Sequence, residues 1–365
     1  MFSATLKVND TSGVELAYLD SGAPEGLPDY TTIFIVHGMI FTNGKPLQIS
    51  TRIQVTDLSR EGIFEKMLIA APQKGVRVVA IQRRHFPGST PFSPEELSTT
   101  LSGGTEAERV TYSEARGHEL ALFIAEFISK FNLPPASGAK GGSVLLGWSV
   151  GGILPVLAIR HSKTLPNDVK ERLGAHIRSL IVYESAPLCF GLPMPTQNWS
   201  PLVDESVPQN KRLQLFGQWC TGYFDHGNFT LETPHDPDLL EWILHTPADV
   251  PALYNIPTDK LNKLATYGDD ASTDLPFLFF FQNEHKKALV KALMDEDVAA
   301  IFPKLKRGYI TGSRAPAFGI AGMWAFQDEK ELAGAPIEFK IIQGGNHFAI
   351  WDEPEKVLDA AVALA

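Results

Sequence analysis

The stretch "VLLGWSVGGI" covers residues 144–153. Its apolar run, residues 144–146, stops at Gly147-Trp148-Ser149-Val150-Gly151-Gly152, and an apolar, helix-compatible segment follows at once. A lone serine therefore stands between glycines where a buried strand gives way to a helix. One reading is a tight turn whose serine caps the next helix. The other is a nucleophilic serine on a strained strand-to-helix turn, for which Gly147-x-Ser149-x-Gly151 is the sequence signature. Such a turn brings strand and helix close and bends the backbone into conformations that exclude large neighbours. Gly147, Gly151 and Gly152 meet that need. The pentapeptide alone is common, so the rest of the chain has to decide.

Working outward, the flanking sequence alternates short buried strands with helical patterns. The segments "TTIFIVHG" (31–38), "VRVVAIQ" (76–82), "SVLLG" (143–147), "SLIVYE" (179–184), "RGYITG" (307–312) and "IEFKIIQ" (337–343) are brief β-branched runs, most of them nearly continuous in apolar residues, as strands covered on both faces require. Before them, "ATLKVND" and "VELAYLDSG" alternate well enough for an antiparallel pair turning at Ser12-Gly13. Helical spacing predicts helices over 62–75, 111–132 with Ser113 as N-cap, 152–163 and 353–364. This order predicts an α/β fold with a mostly parallel, doubly wound sheet.

The regularity breaks over residues 187–303, which are rich in Pro, Trp, Tyr and Phe and offer few strands. Trp199, Trp219, Tyr223, Phe224, Trp242, Tyr254 and Tyr267 are scattered among helical-looking pieces such as "QNKRLQLFGQWCTGYF" and "DPDLLEWILHT". We expect an inserted, mainly helical lid here, with the core formed by 1–186 and 304–365. The lid aromatics are either its own packing or the wall of an apolar pocket.

Composition narrows the function classes. The chain has 365 residues, 44% hydrophobic and 20% charged, which fits one large domain with an insertion and argues against wholesale disorder. A net charge of -10 makes nucleic acid a poor partner. Cys189 and Cys220 form no CxxC pair, so reduced thiols are expected rather than zinc or a disulfide framework. No apolar run reaches the ~20 residues of a membrane span. Neither "MFSATLKVND" nor "AVALA" reads as a targeting signal, so a cytoplasmic location is the expectation.

Two distant features favour the nucleophile. The strand "IFIVHG" ends in His37-Gly38, followed by Met39, Ile40 and Phe41. A backbone N–H from Met39 or Ile40 can point to the same spot as that of Val150, which gives an oxyanion hole. His37 reads as a residue that fixes this loop. Near the C-terminus, His347 follows a Gly-Gly-Asn loop in "QGGNHFAIWDEPEKV", placed to serve Ser149 as general base. The remaining histidines read as structural or exposed; His235-Asp236 hints at a metal pair without further ligand spacing.

With these motifs in hand, the chain resembles the α/β-hydrolase superfamily. "VHGMI", "GWSVGG" and "GGNHFAIWDEPEKV" carry the resemblance, in that order, and "IQRRHFPGST" looks like its strand-four segment, with Gly88-Ser89-Thr90 in the turn. The resemblance implies a triad whose carboxylate usually follows the seventh strand. Here "SRAPAFGIAGMW" follows that strand, and the first acid is Asp328. A minority of the superfamily, including enzymes resembling zearalenone-type lactonases, place the acid after the sixth strand, where this chain has Glu184. Glu184 is therefore the expected orienting acid, Asp328 the runner-up, and Asp269 and Asp270 weaker candidates.

The expected function is a serine hydrolase of an apolar carboxylic ester or lactone, with no metal or organic cofactor. Ser149 is its nucleophile, His347 its base and Glu184 its acid. Trp148, Phe41, Trp219 and Tyr223 are the candidates for substrate contact, with packing under the elbow as the other reading of Trp148. Arg314 reads equally as a substrate-binding cation or a surface residue. Alternatives are lyase, C–C hydrolase or acyltransferase chemistry in the same fold, or a non-catalytic ligand binder. Epoxide hydrolase and dehalogenase chemistry is disfavoured, because serine stands where those enzymes need aspartate.

Overall fold

The computed structural model describes residues 2–8, 13–44, 62–245, 249–266 and 272–365. Ser12, Tyr267, Asp269 and Asp270 lie outside the described residues.

Eight strands form one sheet: β1 (Phe2–Lys7), β2 (Glu15–Asp20), β3 (Thr31–Val36), β4 (Val76–Ile81), β5 (Ser143–Trp148), β6 (Ile177–Tyr183), β7 (Lys306–Gly312) and β8 (Ile337–Ile342). Their order is β1-β2-β4-β3-β5-β6-β7-β8. β1, β2 and β4 pair antiparallel at one edge, and β4 through β8 run parallel. Every residue of β4, β5 and β6 is buried, which is why these strands read as nearly continuous apolar runs, interrupted by the buried Arg77, Ser143, Arg178 and Ser179. β8 alternates instead, and its exposed Glu338 and Lys340 blunt the sheet's edge.

The helices are α1 (Glu65–Ala70), α2 (Pro94–Ser102), α3 (Glu106–Phe131), α4 (Ile153–His161), α5 (Asn167–His176), α6 (Gln209–Trp219), α7 (Thr258–Leu264), α8 (Asp274–Phe280), α9 (Gln282–Met294), α10 (Glu296–Ile301), α11 (Ala317–Asp328), α12 (Ala349–Asp352) and α13 (Pro354–Ala363). Within 187–303, α9 packs against α4 and α10 against α5.

Two local expectations are corrected. Ser113 does not cap a helix; it is buried inside α3. The cap is Thr105, whose hydroxyl accepts from the Glu108 N–H while Glu108 accepts from the Thr105 N–H. This reciprocal box satisfies two otherwise orphaned donors and moves the helix start eight residues upstream of the expected cap. The segment "DPDLLEWILHT" holds no helix among its described residues beyond the 3-10 turn Pro237–Leu239. Trp242 instead donates its Nε1–H back to the Pro237 carbonyl at 2.9 Å.

Candidate active site

The register of the parallel strands builds the site. Gly147 lies opposite Val182 and Trp148 opposite Tyr183, so the residues that follow, Ser149 and Glu184, leave adjacent strands side by side. Both carry left-handed backbone, with φ of 56° and 54°. So does Ile40, at φ 68°, just past the end of neighbouring β3. Non-glycine residues adopt this conformation at a cost of about 1–3 kcal/mol when the surroundings impose it. Only two others, His85 and Asn132, do so among the described residues. Strain is thus concentrated at the ends of β3, β5 and β6.

The glycines around Ser149 have physical reasons. A Cβ on Gly147 would fall 2.4 Å from the Gly151 carbonyl oxygen, and one on Gly151 would fall 2.4 Å from that of His37. A Cβ on Gly38 would meet the Ser149 Cβ at 2.7 Å. The Ser149 carbonyl accepts from Ser185 Oγ at 2.6 Å, and Ser149 itself is only half-buried. The hydroxyl-bearing residue is therefore accessible on a rigid, tightly packed turn.

His347 is 3% exposed and Glu184 0%. His347 Nδ1 faces Glu184 Oε2 at 3.1 Å. The other carboxylate oxygen accepts from the Gly312 N–H and from Thr311 Oγ1, both on β7. With Nδ1 occupied by the acid, Nε2 is the imidazole nitrogen left for a substrate or a serine. The ring stands beside the Trp148 indole, 4.9 Å between centroids, and meets Phe318 edge-on at 5.2 Å. Trp148 Nε1 donates to the His347 carbonyl at 3.1 Å, so the residue next to Ser149 props the histidine loop. Asn346 fastens that loop further: its Nδ2 donates to the Thr221 carbonyl at 2.9 Å, and its Oδ1 accepts from the Phe348 N–H at 2.9 Å. The helix α11 leaves room for the carboxylate, since a Cβ on Gly319 would sit 2.9 Å from Glu184 Oε2.

His37 is fully buried, and its bonds fix its tautomer. Nε2 accepts from the Arg83 N–H at 3.1 Å, so Nδ1 carries the proton and donates to the Gly38 carbonyl at 2.9 Å. Burial first, then the Arg83 charge, hold its pKa well below the ordinary histidine value despite the bond to Gly38. It is a neutral loop-fixing residue. Neither the Met39 nor the Ile40 N–H has a hydrogen-bond acceptor among the described residues. The same loop is paired to residues 264–266: Thr266 N–H donates to the Ile40 carbonyl and Thr42 N–H to that of Leu264.

Asp328, the runner-up acid, is removed from this constellation. It ends α11, exposed, and accepts from His235 Nδ1 at 2.8 Å. Both line a surface cavity of about 340 Å³, together with Trp324, on which the His235 ring stacks. The aromatic candidates divide. Trp148 and Phe41 are each 1% exposed, with Phe41 edge-on to Phe348. Trp219 packs on Phe318, the ring that touches His347, at 5.9 Å. Tyr223 donates to Asp352 at 2.8 Å, and the Arg314 guanidinium lies over its ring while pairing with Asp249. Phe318, Asn346 and Ser185 were not among the candidates drawn from sequence. Asn346, adjoining a histidine in a glycine loop, was the one with a readable signal. Both cysteines are buried free thiols. Among the described residues no group of three or more His, Cys, Asp or Glu side chains is placed to hold a metal, and no helix is long and apolar enough to cross a membrane.

The family model of the alpha/beta hydrolases matches residues 33–360, and the chain belongs to that family. No curated protein sequence matches it. Among solved structures it is similar to a bromoperoxidase from Bacillus anthracis (16% identity, 100% of this chain and 99% of that one, TM-score 0.51). It is also similar to a putative aryl esterase from Burkholderia cenocepacia (15%, 99% and 97%, TM-score 0.50) and to an epoxide hydrolase mutant from Vigna radiata (10%, 100% and 98%, TM-score 0.50). At these identities the likeness is one of fold alone, and a shared fold does not fix the chemistry.

Proposed function

We propose that this chain is a serine hydrolase that cleaves a carboxylic ester or lactone of an apolar small molecule. The observation that carries the reading is the emergence, from adjacent strands, of a half-buried left-handed Ser149 and of Glu184, whose carboxylate bonds Nδ1 of the buried His347. Ser149 Oγ attacks the carbonyl carbon while His347 Nε2 takes its proton. The carbonyl oxygen becomes an oxyanion held by the N–H groups of Met39 or Ile40 and of Val150. The C–O bond to the alcohol breaks as His347 returns the proton to it. Water then repeats the sequence on the acyl-enzyme and releases the acid. Glu184 keeps Nδ1 protonated and stabilises the imidazolium. We assign residues 187–303 as the lid and the Trp219–Phe318 rings as part of an apolar acyl or ring pocket. Serine at the nucleophile position speaks against epoxide chemistry of the kind named for the Vigna radiata relative. The test is phosphonylation by ethyl 4-nitrophenyl methylphosphonate, with the adduct mapped by mass spectrometry, beside turnover of a 4-nitrophenyl ester and lactone panel. The expected adduct is on Ser149; a folded, active enzyme that is never labelled there overturns the reading.

A further inference from the structure

Arg83 follows β4 and is 8% exposed; Asp274, the first residue of α8, is 2% exposed. The two meet as a fork, with Nη1 and Nη2 each 2.7 Å from a carboxylate oxygen. Nη2 also donates to the Gly38 carbonyl at 3.0 Å. That carbonyl receives a second donor, His37 Nδ1–H, at 2.9 Å. Phe86 closes the arrangement, its ring 4.5 Å from the guanidinium and edge-on to His37 at 4.8 Å.

The Gly38 carbonyl and the Met39 N–H are two ends of one peptide group, and no peptide bond among the described residues is cis. In a trans peptide the N–H points opposite the C=O. Two donors that hold the carbonyl on the Arg83 side therefore turn the Met39 N–H to the other side, and Gly38 itself lies against Ser149. A charged donor on the carbonyl also polarises the amide and strengthens its N–H as a donor. We propose that Arg83, held by Asp274, is a positioning residue that orients and polarises the Gly38–Met39 peptide as the first half of the oxyanion hole. The proposal rests on the serine-hydrolase reading and goes beyond it. It makes the hole depend on α8, a helix of the 187–303 segment, as well as on β3.

The test uses the full chain. Removing one partner strands a buried charge, whereas removing both is often nearly neutral for stability, so Arg83→Met/Asp274→Leu is the principal variant. Thermal melting and circular dichroism report its fold. With a 4-nitrophenyl ester, kcat falls by about 10- to 100-fold while KM stays within about threefold, because the lost stabilisation acts on the oxyanion and not on bound ester. The rate of Ser149 phosphonylation falls in the same ratio, because the phosphoryl oxygen occupies the same hole. A folded double variant whose kcat and phosphonylation rate both stay within about twofold of the parent overturns the proposal. If the double variant fails to fold, Arg83→Met/Asp274→Asn replaces it, since it also removes both charges but keeps a polar group of the same shape at 274; an unchanged phosphonylation rate there overturns the proposal equally. A parent protein that neither hydrolyses the ester nor is phosphonylated overturns the hydrolase reading itself, which separates the two failures.

Discussion

Two histidine–carboxylate pairs lie at opposite ends of α11, and they differ in every respect except chemistry. His235 and Asp328 make the shorter bond, 2.8 Å against 3.1 Å for His347 and Glu184. Yet the Asp328 side chain is 61% exposed and that of His235 29%, whereas Glu184 and His347 are 0% and 4% exposed. Water competes for the first pair and screens it, so its bond contributes little. The second pair sits under Phe318 and Trp148, its acid held by two further donors from β7. A short bond is therefore no guide to importance here; burial, fixed partners and neighbouring strain are.

The comparison can be broken at several points. Removing the proposed nucleophile has the largest effect: Ser149→Ala lowers kcat by about 10,000-fold or more with an unchanged melting temperature. Near-parent turnover of an ester by that folded variant would dissolve the constellation altogether. Glu184→Gln comes next. It keeps the shape but offers His347 the wrong tautomer, and kcat falls by about 1,000- to 10,000-fold. Asp328→Asn changes kcat by less than about twofold, so an inverted ranking of these two variants exchanges the roles of the pairs. Both are read from steady-state kinetics on one substrate.

A third histidine sharpens the same comparison. His285 is as buried as His347 but has no hydrogen-bond partner among the described residues, and burial pushes its pKa down to about 3. Its unfolded value is about 6.5, so below that pH the unfolded chain binds a proton that the native chain refuses. Stability from this group is therefore complete above pH 6.5 and is lost as pH falls toward 3. The expected cost is about 1.4 kcal/mol per pH unit within that window. Denaturant unfolding from pH 7 to 4 should show a shallower decline in His285→Phe than in the parent; equal slopes would remove His285 from the account.

The fold was legible because most of its strands are covered on both faces and so carry their own signal in runs such as "VRVVAI" and "SVLLGW". Ser149 was legible because the turn that holds it excludes side chains at Gly147 and Gly151. Glu184 stood out only through the lack of an acid just after β7, which depends on knowing where a family places one. Helix starts were less readable: Ser113 and Thr105 are both acceptable caps in isolation, and only Glu108 three residues after Thr105 separates them. Arg83 gave no signal at all. Its partner lies 191 residues away, and its role depends on which carbonyl the fork reaches.

Gly319 has a consequence for how such a site can change. The carboxylate of Glu184 occupies the volume that a side chain at 319 would need. The acid after β6 and the bare position on α11 are therefore one trait written at two loci. A chain that moved its acid to the loop after β7 would free position 319 for alanine or larger residues. A chain that filled 319 first would push its acid away from the histidine. Across descendants and ancestors of this protein, glycine at 319 should be inherited together with glutamate at 184 and lost together with it.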